Sequence, residues 1–277
     1  MKVHISVDME GIAGVTHESQ TEQGNHDYPR ARELQTNEVL AAIEGARKGG
    51  ASEFVICDAH DTGRNLLIER FDDDVEIIQG GSYEFGMMAG ISSDFDAAFQ
   101  VGYHAMRNTH MGVIGHTYTY TVLELRINGT VVGESGLNAA LAGHFGVPLT
   151  MVVGDKHAVD QAQKMVKGLI GVPVKTGVGI YGARSFAPKK ACTMIRAGAE
   201  TAIRTAKAIR PFAPKTPIRV EVRFASPVMA QYCVAVPTVQ RLDDTTVAYK
   251  SKDMPAAFSL FEVLLMAAKA ARGEGEL

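Results

Sequence analysis

The chain has 277 residues, 46% hydrophobic and 21% charged, an ordinary globular composition that can fill one large α/β domain or a large and a small one. A net charge of -3 offers no basic field for phosphate backbones, so nucleic acid is not an expected partner. Cys57, Cys192 and Cys233 are odd in number and far apart, which reads as reduced thiols in a cytoplasmic setting rather than a disulfide frame.

The first predicted element is a strand, in which Val3, Ile5 and Val7 alternate with Lys2, His4, Ser6, Asp8 and Glu10. A period of two places Asp8 and Glu10 on one side at its end. The same polar residues interrupt the apolar run, so no signal-peptide core is present. Gly11 and Gly14 open a loop, and residues 30–48 then carry Leu34, Val39, Leu40 and Ile43 at helical spacing up to Gly49-Gly50. Next comes a short β-rich run, Phe54 to Cys57, ending in Asp58-Ala59-His60. The pattern of a strand running into polar residues recurs at Ala97 to Val101 before Gly102-Tyr103-His104, and at Pro148 to Val153 before Gly154-Asp155.

Between these two strands, Tyr118 to Ile127 and Thr130 to Val132 flank Asn128-Gly129, a strong hairpin signal, and Glu134 lies just beyond the second arm. Helices are expected over residues 136–145 and 157–170. A stretch punctuated by Gly and Pro, residues 171–188, is read as a boundary between a metal-binding α/β domain, 1–187, and a smaller C-terminal α+β domain, 188–277. A long helix over 189–209, strands at 218–224 and 246–249, and a final helix complete the chain. The apolar stretch from Pro255 to Ala271 contains Glu262 and Lys269, whereas a spanning helix needs about 20 residues with few charges. It is expected to pack on the core, and no membrane partner is expected.

Strands alternating with helices predict an α/β fold with a mostly parallel sheet flanked by helices. Ligands bind such sheets outside the carboxyl ends of the strands, where Asp8, Glu10, His60 and His104 fall. Each residue has a duller reading alone, since a strand-end Asp caps helices and a lone His is often a hydrogen-bonded core residue. Together with Glu134 they are the ligand types that hold zinc or a similar divalent ion, and two adjacent buried carboxylates are costly without a cation. Three carboxylates against two divalent ions leave one positive charge, which a bound hydroxide would neutralise. A two-metal site generates that hydroxide near neutral pH.

Other matches are weaker. Gly177-Val178-Gly179-Ile180-Tyr181-Gly182 fits a dinucleotide fingerprint but lacks the helix that must follow at once. His17-Glu18 begins a zinc-protease motif that Thr21 ends, and Asp58-Ala59-His60 opens like a two-metal phosphoesterase without that group's other elements. His110 reads as surface, His17, His26, His144 and His157 as solvated or structural, and Met87-Met88 as core or interface.

The runs Ser6-Val7-Asp8-Met9-Glu10-Gly11, Asp58-Ala59-His60, Gly102-Tyr103-His104-Ala105, Gly112-Val113-Ile114-Gly115-His116-Thr117 and Gly133-Glu134-Ser135-Gly136-Leu137-Asn138-Ala139 resemble, in order and spacing, the zinc D-aminopeptidases of the bacterial dipeptide-utilisation type. The likeness continues more loosely to Asp253-Met254-Pro255-Ala256-Ala257-Phe258. It implies two zinc ions per subunit, bridged by Asp8, with Glu10 and His104 completing one site and His60 and Glu134 the other. It also implies a Rossmann-like larger domain with a smaller C-terminal one, that His116 is catalytic, that short peptides lose an N-terminal residue such as D-alanine, and that the subunits form a homodecamer. The sequence departs at Cys57 and Ala59, where Asn and Ser are more typical, and differs widely after Phe186, which bears on substrate choice. A two-metal phosphoesterase and a non-catalytic small-ligand module are the alternatives.

Overall fold

In the computed structural model, which describes residues 1–81 and 84–274, the alternating N-terminus forms strand β1 (Lys2–Val7). Helix α1 (Tyr28–Gly49) starts with Pro29 in its first turn and ends at Gly50, whose φ of 107° closes the C-terminus. It leads into β2 (Glu53–Asp58), followed by β3 (Val75–Ile78) and β4 (Ala97–Tyr103). A hairpin of β5 (Val122–Ile127) and β6 (Thr130–Val132) turns at Asn128-Gly129, both with positive φ, as that dipeptide requires. Then come α2 (Glu134–His144), β7 (Leu149–Asp155), α3 (Lys156–Met165), β8 (Ile170–Gly179), β9 (Gly182–Ser185) and α4 (Pro188–Thr205). The chain ends with β10 (Ile218–Phe224), α5 (Pro227–Cys233), β11 (Gln240–Arg241), β12 (Thr246–Ser251) and α6 (Met254–Glu274).

Seven strands form one sheet in the order β3-β2-β1-β4-β7-β8-β9, parallel except for β9. Five form a second, antiparallel sheet ordered β11-β12-β10-β5-β6. The expected mostly parallel sheet flanked by helices is therefore present. Odd residues of β1 and even residues of β2 pack with α1 and α4 in one core, through Val3, Ile5, Val7, Phe54, Ile56, Ile43 and Ile195. A second core gathers α2, α3, α5, α6 and the antiparallel sheet on the other face, with Val55, Ala98 and Val152 contributed from the parallel strands.

The 187/188 boundary does not separate the two sheets. Helix α4 lies against α1 and β8, while the antiparallel sheet takes β5 and β6 from the first half of the chain. Residues 171–188 are not a linker but mostly the β8–β9 edge of the parallel sheet. The helix expected over 157–170 stops at Met165, and the strand expected from Tyr118 begins at Val122, because Tyr118 has a φ of 59°. Helix α6 is long and apolar enough to cross a membrane by those measures, yet Ala257, Phe258, Phe261, Leu264 and Ala268 are buried in the second core.

Strand order reverses at β1, which has β2 on one side and β4 on the other, so loops leave in opposite directions and open a crevice at the carboxyl ends. The loop after β1 presses on the end of β4, with Asp8 N–H donating to Val101 O (2.8 Å) and Gly11 N–H to Gly102 O (2.7 Å). At Gly102, where φ is 79°, a Cβ would overlap the Asp8 carbonyl. Gly102→Ala should thus lose about 2–5 kcal/mol of stability, combining backbone strain with overpacking. Gly129→Ala, at a φ of 83° with open space around it, should lose only the left-handed cost of about 1–2 kcal/mol. Urea denaturation of both variants checks this, and equal losses would show that the contact between β1 and β4 relaxes freely.

Candidate metal centre

Five side chains expected to bind metal meet in the crevice. Asp8 follows β1 directly, Glu10 lies two residues on, His60 and His104 follow β2 and β4, and Glu134 is the first residue of α2. Each is only 3–8% exposed. His60 Nδ1 stands 3.3 Å from Asp8 Oδ1 and 3.0 Å from Glu10 Oε2. His104 Nε2 stands 3.3 Å from Asp8 Oδ2 and 3.3 Å from Glu134 Oε2. Asp8 is thereby central, with a different imidazole on each oxygen.

The local fold fixes each ligand. Asp58 takes up the loop after β2, accepting from Asn65 N–H (2.6 Å), Asn65 Nδ2 (2.8 Å) and Leu66 N–H (2.8 Å), while Asn65 Nδ2 also donates to His60 O. Both Asp58 oxygens are thus occupied in holding the loop that presents His60. At α2, Gln100 of β4 exchanges hydrogen bonds with Ser135 through its side-chain amide, anchoring the helix start. Glu134 sits where the helix dipole favours negative charge, and its Oε1 accepts Tyr118 N–H at 2.6 Å.

The histidine tautomers follow from their carbonyl partners, because a carbonyl can only accept. His60 Nε2–H donates to Thr21 O (2.9 Å), His104 Nδ1–H to Ala105 O (2.9 Å) and His116 Nδ1–H to Ile114 O (3.0 Å). The remaining nitrogen of each ring faces carboxylates. Asp8 Oδ2, Glu10 Oε2 and His104 Nε2 are buried with no hydrogen-bond partner among the described residues. A ring tied by one N–H and offering the other nitrogen inward is how metal-ligating histidines are held.

Charges in this small space act strongly on one another. Burial, followed by repulsion from Glu10, raises the Asp8 carboxyl to about 7. Burial opposes ionisation of Glu10 and Glu134 too, but His60 pulls Glu10 well below its ordinary range and His104 pulls Glu134 down. The converse holds for the imidazoles: burial lowers them, yet Glu10 carries His60 well above its ordinary value and Glu134 carries His104 to about 10. Glu10 with His60, and Glu134 with His104, thus favour one another's charged forms.

His116 joins the cluster from the loop that follows β4. Its ring stacks on His104 with centroids 4.0 Å apart, and its Nε2 lies 3.7 Å from Glu134 Oε1. Burial and the charge of His104 lower its pKa. Two potential ligand groups have donor atoms within 4.8 Å of one another: Asp8, Glu10 and His104, and His104, His116 and Glu134. The loop is held in an unusual backbone, with Ile114 at a φ of 50° and Tyr118 at 59° on either side of His116. Tyr118 OH bonds Asn138 Oδ1 (3.1 Å), and Asn138 Nδ2 donates to Tyr103 OH (2.8 Å), which pairs with Ser6 Oγ (2.6 Å). Sequence pattern gave Tyr118 no distinguishing mark, although Asn138 lies in the run that carries Glu134.

A cavity of about 980 Å³ opens over the ligands. Tyr120 and Glu18 stand on one side, and Ser259, Glu262, Val263 and Met266 of α6 on another. Residues outside the cluster behave as expected from their contexts. His110 is exposed, His17 caps the short helical turn Glu18–Gln20, Met87 and Met88 are buried, and the three cysteines are free. The glycine-rich run 177–182 forms the end of β8, the turn at Ile180-Tyr181 and the first residue of β9.

A family model described as D-aminopeptidase matches residues 1–263. A D-aminopeptidase of Bacillus subtilis (strain 168) is 30% identical over 265 residues, covering 95% of this chain and 96% of that protein. The solved structure of the Zn-dependent D-aminopeptidase DppA from Bacillus subtilis, described as a self-compartmentalizing protease, superposes with a TM-score of 0.94 at 30% identity, covering 97% of this chain and 98% of that one. The chain belongs to the D-aminopeptidase family.

Proposed function

We propose that this chain is a two-zinc aminopeptidase that removes an N-terminal D-amino acid, such as D-alanine, from short peptides. The observation that carries the reading is the set of buried atoms without hydrogen-bond partners, Asp8 Oδ2, Glu10 Oε2 and His104 Nε2, aimed into one crevice among histidines whose opposite N–H groups are already committed. Oxygen and imidazole donors in this number suit zinc. Asp8 would bridge the ions, Glu10 and His104 would complete one site, and His60 and Glu134 the other. The grouping of Asp8, Glu10 and His104 donors supports the first site. His60 Nδ1 stands nearer Glu10 Oε2 (3.0 Å) than Asp8 Oδ1 (3.3 Å), whereas His104 Nε2 lies 3.3 Å from both Asp8 and Glu134. When bound, the ions would supply Lewis acidity that polarises a peptide carbonyl and acidifies water.

The chain's own contribution to proton transfer centres on His116. Its lowered pKa leaves the ring neutral near pH 7, and its Nδ1–H is tied to Ile114 O. Nε2 is then free to take a proton during attack and return it to the leaving amine. This favours acid/base duty, since a neutral Nε2 has no hydrogen to offer an oxyanion beforehand. The phosphoesterase alternative loses its Asp58, whose carboxylate is consumed in the loop. The reading extends to a homo-oligomer, a decamer by resemblance, for which exposed Val178, Ile180 and Tyr181 at the β8–β9 turn supply apolar surface.

Matched D- and L-alanyl dipeptides, with an aryl phosphate as control, test the substrate class on protein whose zinc has been counted. Two zincs per chain and cleavage of the D-alanyl peptide alone are expected; turnover of the phosphate ester instead would refute the reading. His116→Ala should keep its zinc while kcat falls about a hundredfold or more, the scale of losing a general acid or base. Zinc loss in that variant would make His116 a ligand. Because His60 and His104 are raised, and Asp8 is raised to about 7, adding zinc to the metal-free protein at pH 7 should release at least about two protons per chain. Calorimetry in buffers of different ionisation enthalpy measures this, and zero release would contradict the charge state derived above.

A further inference from the structure

We infer that Lys175 is a positioning residue of the metal centre, drawing the carbonyls of Glu10, Ile12 and Val15 to one ammonium and so fixing the backbone from which Glu10 projects. The inference rests on the two-zinc reading. Lys175 lies on β8, directly across from Asp155 of β7, and is 1% exposed. A lysine so deeply buried is costly unless its donors are satisfied. Here Nζ donates to Glu10 O, Ile12 O (3.2 Å) and Val15 O (2.5 Å), using all three of its hydrogens.

The segment it holds is irregular and buried, so its polar backbone must find partners outside a strand ladder. Side chains supply many of them. Gln35 Nε2 donates to Asp8 O (3.1 Å), Glu38 Oε1 accepts Ala13 N–H (2.9 Å) and Ser185 Oγ accepts Gly14 N–H (2.9 Å). Lys175 is the member of this set that joins three points of the loop at a single atom. Removing it would leave three carbonyls without that donor and release the Glu10 backbone.

Lys175 also lies within electrostatic reach of Asp155, Glu38, Glu10 and Asp8. A role confined to charge makes the opposite prediction from positioning. Deleting a cation behind an anionic site strengthens its hold on zinc, whereas loosening the ligand backbone weakens it. Arginine separates the two further, because it keeps the charge but its planar fork cannot converge on one point.

The experiment compares parent, Lys175→Met and Lys175→Arg proteins loaded with zinc, verified as folded by circular dichroism, in competition with a chromophoric chelator. Both variants should bind at least one zinc about 10–100-fold more weakly, the usual effect of disturbing groups that orient metal ligands. On a D-alanyl dipeptide, kcat should fall with KM little changed. Parent-like zinc affinity and kcat in a folded variant, even with a lowered melting temperature, would overturn the inference. Tighter zinc in Lys175→Met with no change in Lys175→Arg would also overturn it. If the methionine variant does not fold, the arginine variant decides by the same measures. A parent chain that binds no zinc would bring down the two-zinc reading, and this inference with it; a zinc-binding parent with unaffected variants would bring down this inference alone.

Discussion

Asp8, Glu10 and Glu134 place three buried carboxylates in one crevice, where each raises the cost of ionising the others. Such a group is stable only if positive charge or protons are supplied locally, and the surrounding fold is arranged around that requirement. His60 and His104 provide it from the strands on either side of β1. The N-terminus of α2 adds a favourable dipole beneath Glu134. The reversal of strand order at β1 is what lets three successive strand ends contribute to the same point without any chain crossing another.

A second requirement follows from the first. Ligands must leave regular strands to converge, yet the loops that carry them remain buried, so their backbone groups need partners from elsewhere. Asp58 and Asn65 organise the His60 loop, Gln35, Glu38 and Lys175 the Glu10 loop, and Asn138 with Tyr118 the His116 loop. The polar chain from Tyr118 through Asn138 and Tyr103 to Ser6 ties the last loop back to β1. Side chains thus supply locally the rigidity that a sheet supplies elsewhere, which is the condition for holding ligands in one geometry.

What the sequence reveals of this arrangement divides by range. The alternating run at residues 2–7 locates the strand end that Asp8 and Glu10 follow, although the strand stops at Val7 and a loop carries both, and short apolar runs before His60 and His104 locate two more strand ends, because strand patterns are local properties. The convergence of Glu134 depends on resemblance and on α2, whose start at Glu134 rather than Gly136 follows from the Gly133 cap and the Gln100–Ser135 bond. Lys175 has no local signature at all. It sits in a strand whose residues 171–188 look like a linker because Gly and Pro punctuate them, and its partners lie about 160 positions away. The two sheets are similarly hidden, since β5 and β6 pair with β10, a contact that no window of neighbouring residues contains.

The cavity above the ligands joins walls that answer to different demands. One is made by residues between Asp8 and Glu134 whose charges compensate one another, so a change in any of them disturbs the rest. The other is the exposed face of α6, where Val263 is 51% and Met266 68% accessible and where Glu262, raised to about 7 by burial, has ample neighbouring space. Side chains there can vary in size without breaking the core, because Phe258, Phe261 and Leu264 on the opposite face already anchor the helix. The sequence after Phe186 is also where the resemblance is loosest. The wall at the strand ends is therefore constrained by electrostatics, and the α6 wall only by the packing of the helix's far side.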